Sequence, residues 1–220
     1  QRAELPSHVK TYPTLNLAFY NEAAAVGRVL YLLQAMDQDG RGWLQVDNAR
    51  ATLTGNGSPW RVYTWRRLRQ IFNEGEGVAW HRDHQGRIWL HSPAKIALAL
   101  DCGRLQGRPV YIPIKGLLKG IKRVRAHFYA SWESGRPEPM PVSRAKLEEV
   151  TGVPKRTQRE YDTLLERRSK TNIAITGYLW NDENRRRLDL IGFYRYDLEN
   201  LVHEDPECRD ALPSLKLEDD

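Results

Sequence analysis

The predicted helix over residues 155–168 carries a face rich in cations. With its apolar residues turned inward, the outward side chains are Lys155, Arg156, Arg159 and Thr163. Arginine can pair with O6 and N7 of guanine, and either cation can hold a phosphate. Basic residues at a helix N-terminus oppose the helix dipole, which favours a functional reason for placing them there. The pattern predicts a helix that contacts DNA. The alternative is a solvated helix face balanced by acidic neighbours.

A second predicted helix, over residues 59–72, repeats this arrangement. The face opposite its apolar stripe carries Tyr63, Arg66, Arg67 and Gln70. Glutamine can read adenine, and a tyrosine hydroxyl can hold a phosphate. We expect this face to contact DNA as well. The alternative is that an aromatic and basic face packs between domains or on a partner subunit.

Arginines also gather at two predicted hairpin bends. Arg82 and Arg87 flank the first bend, and Arg185, Arg186 and Arg187 crowd the second. Adjacent arginines repel one another unless an anion lies nearby. A phosphate backbone or a minor groove would supply that anion, so both bends are predicted to contact DNA. An exposed turn, partly neutralised by acidic neighbours, is the alternative.

Motifs for metal binding and catalysis are weak. Three histidines near the first bend lack the fixed ligand pairs of a zinc module. The stretch from Asp37 to Gly42 resembles the start of a calcium-binding loop, but Arg41 and Asn48 stand at two ligand positions. The chain has no P-loop, nucleophile-elbow or zinc-protease motif. We therefore predict no enzymatic activity, no metal, no cofactor and no small-molecule ligand.

The elements that must position Arg66, Arg67, Arg82 and Arg87 occupy residues 1–100. Residues 1–15 look irregular. The expected elements are a helix over 22–36 capped by Asn21, a helix over 46–53, a third helix from Pro59 capped by Ser58, a hairpin of 78–83 and 88–91, and a short helix to Leu100 capped by Ser92. Caps and apolar periodicity determine these boundaries.

The same order recurs after a connector that holds a short extended piece at 110–112. The expected elements are a helix over 116–133, a helix over 144–151 capped by Ser143, a tight turn at Gly152, a helix over 155–168, and strands at 172–180 and 188–196. The residues expected to fill the angle between the last two helices are Leu147, Val150, Tyr161, Leu164 and Leu165.

Helix, helix, tight turn, helix and hairpin, found twice, resembles the plan of tandem winged-helix proteins. The stretch from Ser143 to Tyr161 resembles a helix-turn-helix. The resemblance implies a mainly α fold with small β-hairpins (α+β) and two tandem winged helix-turn-helix domains. The expected division is a first unit at 1–100, a connector at 101–115, a second unit at 116–203 and an acidic tail at 204–220.

Charge is unevenly distributed along the 220 residues. Residues 1–203 carry a formal excess of +11 and the tail carries −5, which gives the net +6. A basic body predicts a polyanionic partner, and the tail is predicted to be a flexible end that competes with DNA for the basic surface. No apolar run approaches the length of about 20 residues needed to span a membrane. Two distant cysteines form no disulfide framework, which favours a reducing cytoplasm.

Together these features predict a protein that binds double-stranded DNA in the bacterial cytoplasm, associated with the nucleoid. Tandem winged-helix proteins of this size resemble plasmid or phage replication initiators, which bind repeated origin sites. That resemblance implies a dimer or a replication protein as a further partner. A transcriptional repressor with the same DNA-binding mode is the near alternative. A protein-interaction module of a replication or other nucleoprotein complex is the alternative of another class, and the aromatic-rich first unit would suit it.

Overall fold

The computed structural model describes residues 6–136 and 142–165, together with the backbone of two short strands at 172–174 and 191–193. The described part is α+β and mainly helical, with small antiparallel sheets, as predicted. Its first elements are β1 (His8–Thr11), α1 (Pro13–Glu22), α2 (Ala24–Met36), β2 (Trp43–Gln45), α3 (Val46–Thr54), α4 (Trp65–Glu74), β3 (Trp80–Arg82) and β4 (Arg87–Leu90). They are followed by α5 (Pro93–Ala99), β5 (Val110–Pro113), α6 (Ile114–Leu118), α7 (Ile121–Ser134), α8 (Arg144–Thr151), α9 (Lys155–Leu164), β6 (Asn172–Ala174) and β7 (Ile191–Phe193).

Three of the helices are capped at their N-terminus by a serine or threonine hydroxyl. Thr64, Ser92 and Ser143 precede α4, α5 and α8, and each hydroxyl accepts from the backbone N–H three residues later, at 3.2–3.4 Å. This is the geometry of an N-cap, which satisfies one of the free N–H groups of the first turn. The predicted caps at Ser92 and Ser143 are confirmed.

The helix predicted to start at Pro59 is α4, which begins at Trp65, so the predicted start is wrong. The segment before Trp65 is held against the end of α3, because Val62 N–H donates to the carbonyl of Leu53 at 3.0 Å. The hydroxyl of Ser58 donates to the carbonyl of Thr52 in α3, accepts from the backbone N–H of Trp60 at 3.2 Å, and caps no helix. Ser58 is therefore a residue type that could cap a helix, but the contact of this segment with α3 places it in a turn.

The N-terminal segment is more regular than its sequence suggests. β1 pairs antiparallel with β5, with His8 opposite Pro113, and α1 begins at Pro13 inside the stretch predicted to be irregular. Asn21 lies in the last turn of α1, and the residue before α2 is Ala23, so the predicted Asn21 cap is wrong. The strand partner lies about a hundred residues away, so no local pattern indicates this strand.

The first unit contains a three-stranded antiparallel sheet in the order β2–β4–β3. The predicted hairpin is confirmed as β3 and β4, and Trp89 lies opposite both Trp43 and His81 in the register. Trp80 is fully buried: its indole N–H donates to the Phe72 carbonyl at 3.0 Å. The sheet therefore packs its inner face against α4 and leaves its outer face partly exposed.

The second unit has the predicted tight turn between α8 and α9. Gly152 adopts φ +70°, a left-handed conformation that favours glycine. The buried side-chain amide of Gln158 donates to the carbonyls of Val153 and Arg144, at 2.8 and 3.0 Å, and closes the turn. Val150 is 40% exposed, so its predicted place between the helices is wrong. Because the chain reverses at Gly152, the fully buried Val153 takes that place.

The predicted helix over 116–133 is divided into α6 and α7. Arg28 of α2 is 4% exposed and donates to the carbonyls of Leu117 and Lys119, both at 2.6 Å. The Leu117 carbonyl would accept from Ile121 in a continuous helix, and Arg28 occupies it instead. Gly120 is extended and starts α7.

Helix α7 belongs to both hydrophobic clusters of the described chain. Phe128 packs in the cluster around α2, where its ring meets the ring of Tyr31 edge to face at 5.7 Å. Ala126 and Tyr129 pack in the second cluster with Leu147 of α8. The two clusters therefore share this helix, which joins α8 and α9 to the elements around α2.

Strands β6 and β7 pair antiparallel with Ile173 opposite Gly192, which confirms a second hairpin within 172–174 and 191–193. The other residues expected in that hairpin, its bend and the acidic tail lie outside the described residues. None of the described helices is long and apolar enough to cross a membrane.

Candidate nucleic-acid interface

Helix α4 separates an apolar face from a cationic one. Leu68, Ile71 and Phe72 are fully buried and fix the rotation of the helix. The exposed side chains on the other face are Arg66, Arg67, Arg69 and Gln70. The predicted exposure of Arg66, Arg67 and Gln70 is confirmed. Arg69 was not predicted, although the density of arginines in this stretch was a visible signal.

The arginines of α4 differ in whether they have a partner. Arg67 donates to Glu74 at 2.9 Å and to Gln70 at 3.4 Å. Arg66 and Arg69 make no side-chain hydrogen bond or ion pair with any residue of the described chain. The first turn contains no acidic residue, and Glu74 lies at the far end of the helix. Two guanidinium groups on this face are therefore available to an external anion.

Tyr63 does not lie on the exposed face of α4, so its predicted placement is wrong. It precedes the Thr64 cap, and the guanidinium of Arg28 lies over its ring at 4.9 Å from the centroid. Its hydroxyl is buried and has no hydrogen-bond partner within the described residues. A buried hydroxyl does not reach a phosphate. The late start of α4 moved this tyrosine from the helix surface into the packing between α2 and α4.

Helix α9 presents the second cationic face. Lys155, Arg156, Arg159 and Thr163 are exposed, as predicted, and so is Glu160. Arg156 is 92% exposed and lies 3.7 Å from Glu160, whereas Lys155 and Arg159 have no ion pair within the described residues. Glu160 accepts from Lys122 of α7 at 2.7 Å, and that hydrogen bond, together with the charges of Lys122 and Arg156, lowers its pKa.

A buried ion pair orients α9. Arg144 of α8 donates to Asp162 at 2.7 Å, and both side chains are about nine-tenths buried. Removing one partner of a buried pair leaves a buried charge without compensation, which costs about 3–5 kcal/mol. Together with Tyr161, which packs inward, this pair turns the cations of α9 toward solvent.

Arg82 on the first hairpin already has hydrogen-bond partners within the protein. Its guanidinium donates to Glu76 at 2.7 Å and to Asn73 at 2.9 Å. Asn73 lies in α4 and Glu76 follows it, so Arg82 fastens β3 to the end of that helix. The predicted Arg82 is near α4, and its charge already has a carboxylate partner.

Arg87 also has partners within the protein. It donates to Asp83 at 2.8 Å, and its guanidinium lies 5.3 Å from the ring centroids of both Trp43 and Trp89. Asp83 also accepts from the indole N–H of Trp89 at 2.9 Å and from the backbone N–H groups of Gln85 and Arg87. The Trp89 hydrogen bond first, and then those from Arg87 and Gln85, hold the pKa of the Asp83 carboxyl well below its ordinary value. Asp83, Arg87 and Trp89 therefore form one interaction network at the hairpin bend, and the charge of Arg87 already has a partner in it.

An aromatic row crosses the outer face of the sheet. Trp43 and Trp89 have ring centroids 6.0 Å apart, and His81 stacks on Trp89 at 6.2 Å with an interplanar angle of 8°. Their exposure follows from the register, which aligns all three side chains across β2, β4 and β3. This row gives the sheet a partly exposed aromatic surface.

The remaining predicted site residues, Arg185, Arg186 and Arg187, lie outside the described residues, so their contact with DNA stays a prediction. Within the part of the chain that is described, no three His, Cys, Asp or Glu side chains form a group that could hold a metal. No protein-family model, curated protein or solved structure matches the chain.

Proposed function

We propose that this protein binds double-stranded DNA through two winged-helix units. Support comes from the order of elements. In the first unit a helix, a strand, two helices and a hairpin follow one another, and the early strand pairs with the second strand of the hairpin. In the second unit α7, α8, α9 and the paired strands β6 and β7 follow in a similar order, with no described strand between the first two helices. In this plan the helix before each pair of strands, α4 or α9, enters the major groove.

The observation that carries the proposal is the pair of cationic helix faces. Arg66 and Arg69 on α4, and Lys155 and Arg159 on α9, are exposed and unpaired within the described chain. Neither helix has an acidic residue in its first turn. Cations in these positions gain most from an external polyanion, because phosphate contacts release condensed counterions. Phosphate contacts would supply most of the affinity, and arginine contacts to guanine would supply base readout.

Salt titration of duplex binding tests the proposal directly. The probe is a labelled mixed-sequence duplex of about 30 base pairs, which is long enough for an interface of this size. The variants Arg66→Gln/Arg69→Gln and Lys155→Gln/Arg159→Gln each remove two cations from one helix. The control, Arg104→Gln/Arg108→Gln, removes two exposed cations from the connector, outside both helices.

Each helix variant is expected to lower the slope of log K against log salt by about 2, and to weaken binding at 0.1 M salt by about tenfold or more. The control is expected to keep the wild-type slope. If the wild-type protein binds no duplex even at low salt, the proposal is wrong.

We further propose that the task in the cell is replication initiation at a plasmid or phage origin, carried out in the cytoplasm. This proposal rests on the tandem architecture alone. Selection of genomic fragments with the purified protein separates the candidates. An initiator should recover iterated sites in an origin, whereas a repressor should recover one palindrome near a promoter.

A protein-interaction module is the second candidate, favoured by the aromatic row of Trp43, Trp89 and His81. Partly exposed aromatic side chains are enriched in protein interfaces. A module would use this row to contact another protein and would show no steep dependence of duplex binding on salt. The salt titration therefore distinguishes the two candidates.

A further inference from the structure

We propose that residues 115–123, which run from α6 into the first turn of α7, form a third surface for the DNA backbone, lying between α4 and α9. We call this surface the basic bridge and define it by Lys115, Lys119, Lys122 and Arg123. The proposal rests on the proposed duplex binding and adds a site that holds phosphates regardless of base sequence. None of these four residues belongs to the cationic faces of α4 or α9.

The first observation is a long stretch without acidic residues. Between Asp101 and Glu133 the sequence contains no aspartate or glutamate. The cations in this stretch are Arg104, Arg108, Lys115, Lys119, Lys122, Arg123 and Arg125. A net charge of this size over about thirty residues creates a local positive potential that no neighbour in sequence offsets.

The second observation is exposure without pairing. Lys115 and Lys119 are exposed, Arg123 is half-buried, and none of them forms an ion pair within the described residues. Lys122 is exposed, and in the part of the chain that is described its ammonium bonds only to Glu160, at 2.7 Å. Lys122 and Arg123 lie in the first turn of α7, where cations oppose the helix dipole. Arg123 gains no ion pair from this placement within the described residues, whereas an external anion would offset the opposed dipole.

The third observation is position, fixed at the α4 side by Arg28. Its guanidinium lies over the ring of Tyr63, which directly precedes the Thr64 cap of α4. The same guanidinium donates to the Lys119 carbonyl at 2.6 Å. One buried side chain therefore joins the residue before the α4 cap to Lys119 of the basic bridge.

The α9 side is fixed by Lys122. Its ammonium donates to Glu160 of α9, and Arg156 lies 3.7 Å from the same carboxylate. The cations of the bridge thus continue into those of α9 with one shared acid between them. Only two residues separate Lys119, which Arg28 holds, from Lys122, which contacts α9, so the bridge links these two contacts along the chain.

The chemistry of the bridge suits phosphate. Lysine ammonium groups act as compact point charges, which bind phosphate without the planar geometry that base recognition uses. A duplex seated on both α4 and α9 would carry its backbone past the bridge. The bridge would then raise affinity for all sequences equally and increase the salt dependence of binding.

The test uses the full chain and the variant Lys119→Gln/Arg123→Gln. Arg28 bonds to the backbone carbonyl of Lys119, so the side-chain change leaves that link in place. The matched control is Arg104→Gln/Arg108→Gln, which removes the same charge from the same acid-free stretch. The Arg108 N–H donates to Gly135 at the other end of α7, about 20 Å from the bridge for a helix of this length. Circular dichroism verifies that both variants are folded.

The probe is the same mixed-sequence duplex, titrated with salt. The bridge variant is expected to lower the slope by about 2 and to bind about tenfold or more weakly at 0.1 M salt, while the control keeps the wild-type slope. Equal slopes for the bridge variant and the control would overturn the bridge and leave the proposed function standing. Absence of duplex binding by the wild type, with binding to vesicles of anionic lipid instead, would overturn both.

Discussion

Two pairs of arginines in the first unit look equivalent in sequence and differ in the folded chain. Arg66 and Arg69 on α4 are exposed and have no partner within the described residues. Arg82 and Arg87 on the hairpin hold carboxylates and, for Arg87, two indole rings. The first pair has charge to offer to a ligand. The second pair has already used its charge to fasten the hairpin.

The difference shows that the capacity of a basic patch to bind an anion depends on its unpaired cations and not on its total number of cations. A DNA phosphate that approached Arg82 or Arg87 would have to compete with a carboxylate already in place. A wing can still lie against a backbone through such residues, but it would gain less from each contact. We therefore expect affinity to depend on α4 and stability to depend on the hairpin.

The largest expected effect comes from Trp80, whose ring packs edge to face on Phe72 and joins the hairpin to α4. Trp80→Ala should lower the free energy of unfolding by about 3–5 kcal/mol, because a fully buried indole is lost. Denaturant unfolding measures this. Trp43→Ala, on the partly exposed outer face of the same sheet, is the control and should cost less. An equal loss from both would show that the two faces of the sheet contribute alike.

A smaller effect is expected at Asp83. Because hydrogen bonds hold its pKa below the ordinary value in the folded state, its contribution to stability is complete above the unfolded pKa of about 4. That contribution is lost as the pH falls through the folded pKa. Asp83→Asn should therefore lower stability at neutral pH and flatten the acid side of the stability profile. Thermal unfolding between neutral and acidic pH measures both, and an unchanged acid side would refute the role of Asp83.

The next effect separates the two pairs of arginines. Arg87→Gln should cost about 1–2 kcal/mol of stability, the sum of a partly exposed ion pair and a cation–π contact. It should change the salt slope of duplex binding by less than Arg66→Gln does. Conversely, Arg66→Gln should leave stability within about 0.5 kcal/mol of wild type. A larger slope change for Arg87→Gln would break the comparison.

The smallest effect is expected from the acidic tail. Deletion of residues 204–220 removes a charge of −5 and should raise duplex affinity about twofold or more at low salt. If the tail competes for the unpaired arginines of α4, the gain should shrink in the Arg66→Gln/Arg69→Gln background. Fluorescence anisotropy at low salt measures both. Equal affinities of the full and truncated chains would contradict competition by the tail.

Local signals in the sequence predicted the parts of the fold that are held together locally. Ser143 and Gly152 define α8 and the turn after it, because a cap and a left-handed glycine act within a few residues. The parts that were missed depend on distant partners. β1 needs β5, and the break between α6 and α7 needs Arg28 from another helix.

The candidate site divides in the same way. Helical periodicity correctly predicted the exposure of Arg66, Arg159 and Thr163, because the buried stripe fixes the rotation of each helix. It did not predict which arginines would be paired, since Glu76 and Asp83 meet their partners only through the packed hairpin. The basic bridge was readable as an acid-free stretch, but its position between two helices depends on the buried Arg28.

The position of α7 in both hydrophobic clusters has a consequence for how the chain unfolds. A fragment ending before α7 would lose Phe128 and uncover the ring of Tyr31. A fragment beginning after it would lose Tyr129 and uncover Tyr161, since those two rings lie 5.8 Å apart. Neither half can keep a complete interior without this helix. We expect one heat-absorption peak in calorimetry instead of two, and any fragment cut from this chain to fold on its own would have to include α7.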